Sequence, residues 1–231
     1  MALSVVSSQI SIRCQGVLFD MDGILISSIG SVERSWKKWA ALRGIDPARA
    51  RLVAHGRRAI DTLAVVCPEC DAETELKIIE DMEIEDNEGL TVLPGVAELL
   101  AALGKTGQGG DRWTVVTSAT ERMARARLAT GGIPMPARLV TADRVMHGKP
   151  HPEPFLAGAR LLGFAPQDCV VFEDSPSGAA AGRAAGCTVV ATTFSHRAEE
   201  LEAADYLVSD LTGVTAEADG EGLLLRLTPL A

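Results

Sequence analysis

Asp20 and Asp22 stand one residue apart, directly after the apolar run Val17-Leu18-Phe19, and Gly23 follows them. A short apolar run bounded in this way reads as a buried strand. If the strand continued, alternation would send both carboxylates to the same side, and the glycine lets the chain turn sharply behind them. Two acids crowded at a strand end call for a cation. A hard one such as Mg2+ takes carboxylate oxygens and keeps positions open for water and phosphate. The plain alternative is an acidic turn, because Asp and Gly are common turn residues.

Three further clusters follow in a definite order. After Trp113-Thr114-Val115-Val116 come Thr117-Ser118-Ala119-Thr120 and a helical pattern from Glu121 to Thr130, so hydroxyls and backbone N–H groups gather at a helix start, where phosphate binds well. Gly148-Lys149-Pro150 sits ahead of a helix candidate from Glu153 to Leu162, with Pro152 and Pro154 restricting the chain around its start. The run Cys169-Val170-Val171-Phe172 then delivers Glu173-Asp174-Ser175 and the turn Pro176-Ser177-Gly178 before an alanine-rich helix. Taken singly, Lys149 could be a solvated loop lysine, and Glu173 with Asp174 a helix cap.

In that order these residues closely resemble the four signature motifs of the haloacid dehalogenase-like superfamily, over residues 17 to 186. In the superfamily's phosphatases the second Asp of the first motif is the distinguishing feature, and Asp22 supplies it here. The resemblance implies that Asp20 is the nucleophile and Asp22 the general acid and base. It makes Thr117, Ser118 and Ala119 the phosphate-binding segment, with Lys149 neutralising the phosphoryl charge. Asp174 and Glu173 would complete a Mg2+ site with Asp20 and the Asp22 carbonyl. Physical chemistry agrees, because phosphoryl transfer asks mainly for in-line positioning and for positive charge around the equatorial oxygens. A carboxylate nucleophile divides the displacement into two steps, and a second carboxyl group can protonate the leaving alcohol and then activate water. The family pattern usually continues with Thr and a third Asp, where this chain has Ile24 and Ser27. Neither change removes a group with an assigned role, but a threonine hydroxyl is lost from the acid–base loop.

Positioning these groups requires an α/β frame. Strand and helix candidates alternate: Gly16 to Phe19, Gly95 to Leu103, Trp113 to Val116, Glu121 to Thr130, Leu139 to Thr141, Val170 to Phe172 and Thr188 to Thr192. This predicts a Rossmann-like parallel sheet with helices on both faces, and a site beyond the carboxyl ends of its strands. Residues 28–90 instead read as helices with no convincing strand: Ser31 to Arg43, Asp46 to His55, Arg58 to Val66 and Ala72 to Glu85. They resemble the superfamily's small inserted helical cap, so residues 1–27 and 91–231 are expected to form the catalytic core. Met1 to Gln15 reads as a short extension, Gly104 to Gly110 as a connection, and Asp205 to Val208 as a last strand. Thr215 to Gly222 reads as an acidic surface turn, and Leu223 to Leu230 as a hairpin or a segment lying on the core.

The core motifs grip only a phosphate, so the cap should choose the substrate. His55-Gly56-Arg57-Arg58 places a glycine hinge beside two guanidinium groups and an imidazole, and arginine's fork of donors suits sugar hydroxyls or phosphate. A solvated turn between helices is the alternative. The segment also resembles the cap loop of phosphatases that act on 2-deoxyglucose 6-phosphate, hexose phosphates or glycerol phosphate. Trp36 and Trp39 are cap core or pocket wall, and His147 is a loop residue.

Of 231 residues, 31 are acidic and 22 basic, a formal charge of −9. This disfavours a general nucleic-acid or anionic-membrane binder, but not a small phosphate ester, which feels the local field of a metal and Lys149. No apolar run reaches the roughly 20 residues that span a membrane, so a cytoplasmic monomer or homodimer is expected. Five cysteines, an odd number, are expected to be reduced thiols. Cys67 and Cys70 have zinc-ligand spacing without a second pair. The resemblance implies a Mg2+-dependent phosphomonoesterase for a small phosphorylated sugar or polyol, working through an aspartyl-phosphate. A phosphohexomutase of the beta-phosphoglucomutase type and a non-catalytic binding relative are the alternatives.

Overall fold

A computed structural model describes residues 9–47, 57–106 and 112–230. Its centre is a five-stranded sheet, formed by β2 (Gly16–Phe19), β5 (Trp113–Val115), β6 (Cys169–Glu173), β7 (Thr188–Thr192) and β8 (Tyr206–Val208), in the order β5-β2-β6-β7-β8. Every pairing is parallel. Strands buried on both faces read as continuous apolar runs, which is why GVLF and CVVFE carry no polar alternation. Pleating divides them nonetheless. Val17, Phe19, Val170 and Phe172 enter the cluster that includes α4 (Val96–Gly104) and α5 (Glu121–Thr130), whereas Leu18 and Val171 enter the one that includes α6 (Glu153–Leu162) and α7 (Pro176–Ala185). Phe19 and Phe172, paired in register, stack with centroids 5.3 Å apart. Small residues let α6 and α7 lie close to the sheet: a Cβ on Gly158 would fall 2.7 Å from Val116, and one on Gly182 2.9 Å from Val189.

The alternating elements expected for the core are present, with one reduction. Leu139 to Thr141 is not a full strand but a single parallel bridge between Val140 and Val116. Two expectations outside the parallel sheet are corrected. The segment before the first core strand is no mere extension, because β1 (Ile10–Cys14) pairs antiparallel with β10 (Gly222–Leu227). Nor is the acidic stretch only a surface turn, since β9 (Thr215–Asp219) forms the other side of β10. Leu223, Leu225 and Leu227 point from β10 into the main core, and that burial gives an otherwise polar β9 a partner to pair with. Residues 107–110 of the Gly-rich connection lie outside the described residues.

The cap contains α1 (Ile29–Arg43), α2 (Ala59–Val66) and α3 (Ala72–Glu85). Trp36, Trp39, Leu63, Val66 and Ile79 form its own apolar cluster. Trp39 is fully buried, and its indole N–H donates to Glu75 at 2.6 Å. Asp71 caps α3 by accepting from the Thr74 N–H. Most of the helix expected from Asp46 to His55 lies outside the described residues. A short antiparallel pair, β3 (Ile26–Ser27) with β4 (Thr91–Val92), ties together the points where the chain leaves for the cap and returns. The expectation of reduced thiols is corrected for one pair: Cys67 and Cys70 form a disulfide, while Cys14, Cys169 and Cys187 are free and buried.

Because Leu225 is completely buried in the main core, Leu225→Ala should cost about 3 kcal/mol of unfolding free energy in urea titrations. A loss of under about 1 kcal/mol would mean that the three-stranded sheet is an appendage and not part of the core.

Candidate active site

The four motifs meet at the carboxyl edge of the parallel sheet, where crossover topology leaves strand ends free of helices. Asp20 follows β2 and its N–H donates to the Phe172 carbonyl at 2.9 Å, so the two strand ends stay in register past Phe19. The chain then folds tightly, with the Met21 carbonyl accepting from Leu25 and Ile26 at 2.9 and 3.0 Å. Gly23 sits at φ 87°, and a Cβ there would lie 1.8 Å from Asp174 Oδ2, so conformation and space both demand glycine. After β5, the Thr117 N–H donates to the Val140 carbonyl, Thr117 Oγ1 accepts from the Ala119 N–H at 3.0 Å, and Thr120 caps α5. Thr117, Ser118 and Ala119 thus line the cleft that also holds Asp20 and Asp22.

Lys149 is buried, and its Nζ donates to Asp20 Oδ1 at 2.8 Å and to Glu173 Oε1 at 2.6 Å. The other Glu173 oxygen accepts from the N–H groups of Asp174 and Ser175, both at 2.9 Å, and from the Ser175 hydroxyl at 3.0 Å. Close approach of this carboxylate explains Gly178, where a Cβ would come within 1.8 Å of Glu173 Oε1. The helix cap itself is Ser175, which accepts from the Gly178 N–H. Glu173 and Asp174 are therefore released from the capping role. Burial raises the Asp20 carboxyl to about 7 although Lys149 opposes it. Burial also raises Asp174, with the Glu173 and Asp20 charges adding to the effect. On Lys149 burial acts downward, but the Asp20 and Glu173 carboxylates outweigh it and the net direction is upward.

Ligand oxygens of Asp20, Glu173 and Asp174 lie within 4.8 Å of one another. Asp174 Oδ2 is buried with no hydrogen-bond partner. An orphaned acceptor beside two further carboxylates is the donor set a hard divalent cation requires, so these residues fit Mg2+. Asp22, also expected at the metal through its carbonyl, has its carboxylate elsewhere. Ser28 Oγ donates to Oδ1 at 2.6 Å, and Arg127 Nη1 donates to Oδ1 and Oδ2 at 2.8 Å each. The loop's hydroxyl contact to Asp22 thus comes from Ser28, while Ile24 is buried in the main core.

Facing these groups across the cleft are cap residues that include Trp36, Arg57, Ile79 and Glu83. Trp36 is both cap core and cleft wall, whereas Trp39 is core alone. Arg57 is exposed at the cleft, but Arg58 is committed: it pairs with Asp61 at 2.7 Å and donates to the carbonyls of Val145 and Met146 at 3.2 and 3.1 Å. His55 and Gly56 lie outside the described residues. His147 bonds Glu153 at 3.0 Å and, with exposed His151, makes a second ligand-bearing group on the outer side of the Lys149 loop. Arg127, Glu83 and Ser28 escaped the sequence reading. Arg127 lay inside an ordinary helical pattern, and its partner Asp22 is 105 positions away.

A sequence profile for haloacid dehalogenase-like hydrolases matches residues 14–186. Hexitol phosphatase A of Escherichia coli (strain K12) is 41% identical over 213 residues, which cover 91% of this chain and 97% of that protein. Glycerol-1-phosphate phosphohydrolase 2 of Saccharomyces cerevisiae (strain ATCC 204508 / S288c) is 31% identical over 233 residues, covering 94% and 92%. Among solved structures, CbbY from Rhodobacter sphaeroides in complex with phosphate superposes with a TM-score of 0.76 at 23% identity, over 86% of this chain and 95% of that one. This last likeness is one of fold.

The raised carboxyls give a signed expectation for the metal-free protein. Their folded forms hold protons that the unfolded chain has released, so the stability they contribute is fully present below the ordinary carboxylate range and is lost as pH rises through about 7. Melting temperatures in chelator should therefore fall between about pH 4 and pH 7. Mg2+ should offset the fall, widening the gap between the two conditions, and Asp174→Ala should shrink it. A gap that stays constant with pH would contradict this account.

Proposed function

From the premise that the chain belongs to the haloacid dehalogenase-like hydrolases, as one of their phosphatases, we propose that it hydrolyses small sugar or polyol phosphates with Asp20 as nucleophile. The reading is carried by Asp20 at the strand end, bonded to Lys149 at 2.8 Å, with Asp22 one turn of loop away. Asp20 attacks phosphorus and forms an aspartyl-phosphate as the bond to the leaving oxygen breaks. Asp22 gives that oxygen a proton, then takes one from the water that cleaves the intermediate and releases inorganic phosphate. Both proton transfers need a carboxyl group within hydrogen-bond reach. Lys149 holds one phosphoryl oxygen, and the Thr117 hydroxyl, itself supported by the Ala119 N–H, takes others with the Ser118 N–H. When bound, Mg2+ at Asp20 and Asp174, with the Asp22 carbonyl and Glu173 alongside, would supply positive charge against the phosphoryl oxygens.

Residues 28–90 are assigned as the cap and residues 1–27 with 91–231 as the catalytic core, with the β3–β4 pair as the seam. A substrate of polyol type is supported by the hexitol and glycerol phosphatase relatives. It is also supported by a cleft whose cap side is lined by exposed Arg57 and the Trp36 ring. Arg57 is the cap cation placed to choose among substrates. Arg58 instead joins the cap to the loop that leads to Lys149, and a Cβ on Gly148 would lie 2.8 Å from its Nε.

Phosphate release should be measured over hexitol, hexose, glycerol and nucleotide monophosphates, with Mg2+ and with chelator. Metal-dependent release concentrated on the polyol and sugar esters is expected, and Asp20→Asn should lower it by about 10³-fold or more with the fold intact. Conversion of glucose 1-phosphate without phosphate release would overturn the hydrolase reading. Arg57→Ala should redistribute activity among these esters while changing p-nitrophenyl phosphate hydrolysis by less than about threefold. Arg58→Ala should lower all of them together.

A further inference from the structure

A buried core side chain links cap helix α3 to the reacting groups. Arg127 projects from α5 with only 5% of its side chain exposed, and its Nη1 divides between the two oxygens of Asp22. Its Nη2 donates to Glu83 of cap helix α3, whose side chain is 7% exposed. Burying a guanidinium is costly unless its partners are fixed, and here both Nη groups have fixed partners, while the buried Nε has none. Glu83 also accepts from the Trp36 indole, and its backbone carbonyl accepts from Ser31 Oγ at 3.4 Å. Three other contacts between described residues join the same helices, Thr120 with Glu80 and Arg122 with both Asp81 and Glu80. None of them reaches Asp22.

A carboxylate offers about four lone-pair positions. Ser28 and Arg127 occupy two on Asp22 Oδ1, and Arg127 occupies one on Oδ2. This fixes the plane of the carboxyl group and leaves one position on Oδ2 for a substrate oxygen or water. We propose that Arg127 is a positioning residue for Asp22 and that Glu83 holds Arg127 in place, so that Asp22 is oriented only while α3 lies against α5. The inference rests on the assignment of Asp22 as general acid and base. Arg127 itself exchanges no proton: as the Asp20–phosphorus bond forms and the ester bond breaks, the proton passes from Asp22 to the departing oxygen. In the second half it passes from water to Asp22 as the Asp20–phosphorus bond breaks.

The test uses two leaving groups. The alkoxide of glycerol 1-phosphate needs a proton to leave, whereas p-nitrophenolate departs without one, and kcat/KM reports the first half-reaction alone. Arg127→Met should lower kcat/KM for glycerol 1-phosphate about 30-fold or more, and for p-nitrophenyl phosphate less than about threefold. Arg127→Lys should recover part of the loss. Glu83→Gln should show the same skew at smaller size, because Glu83 bonds Arg127 and reaches Asp22 otherwise only through its charge. The ratio of the two substrates is independent of how much enzyme is folded, so a destabilised variant still gives an answer. Equal losses on both substrates, or an unchanged ratio, in the Arg127 variants would overturn the positioning role. A wild-type ratio in Glu83→Gln would remove the cap from it. Asp22→Asn provides the separate control: if it leaves the ratio unchanged, the acid–base assignment of Asp22 fails first.

Discussion

Lys149 brings one positive charge to three carboxylates, Asp20, Glu173 and Asp174, at the buried ends of β2 and β6. Such a cluster is strongly unfavourable unless each oxygen is bonded or its charge removed. Glu173 is satisfied by Lys149, two backbone N–H groups and Ser175. Asp20 is satisfied in part by Lys149, and Asp174 keeps one oxygen with no partner. The remaining negative charge suits the site to a divalent cation.

Much of the local backbone serves that cluster. Parallel pairing of β2 with β6 fixes Asp20 next to the Glu173 strand end, and the stacked rings of Phe19 and Phe172 close the sheet beneath them. Among the described glycines, Gly23 and Gly178 are the two where a side chain would strike a cluster carboxylate. Ser175 caps α7, so the helix starts without drawing on either acid. The electrostatics and the glycine positions are thus one constraint seen from two sides.

The cap meets this core along a polar seam, with Glu80, Asp81 and Glu83 on one helix and Thr120, Arg122 and Arg127 on the other. Polar contacts of this kind can part and re-form more readily than an apolar interface of similar size, which suits a lid that must open for substrate. Arg58, bonded to the loop carbonyls of Val145 and Met146, adds a second tie between cap and core near Lys149.

Short-range patterns determined what the sequence could show by itself. The apolar runs ending in Asp20 and Glu173, the Thr117-Ser118 turn and Lys149 before its proline each sit in a local context of a few residues. Their order was enough to expect a parallel α/β core, a helical insertion and a phosphate-handling strand edge. The pairing of β1 with β10 was not legible, because it joins residues more than two hundred positions apart, and the local β9–β10 hairpin was masked because β9 is largely polar. The disulfide between Cys67 and Cys70 depended on how the α2–α3 turn brings the two sulfurs together. The ties of Arg58 to the Val145 and Met146 carbonyls span 87 and 88 positions and had no local mark either. Arg127 had no local mark at all, since a buried arginine on a helix declares itself only through the carboxylates that surround it. Chemistry carried by adjacent residues was written in the chain; chemistry carried by ion pairs between distant helices was decided by packing, because only packing removes the water that would otherwise solvate each charge separately.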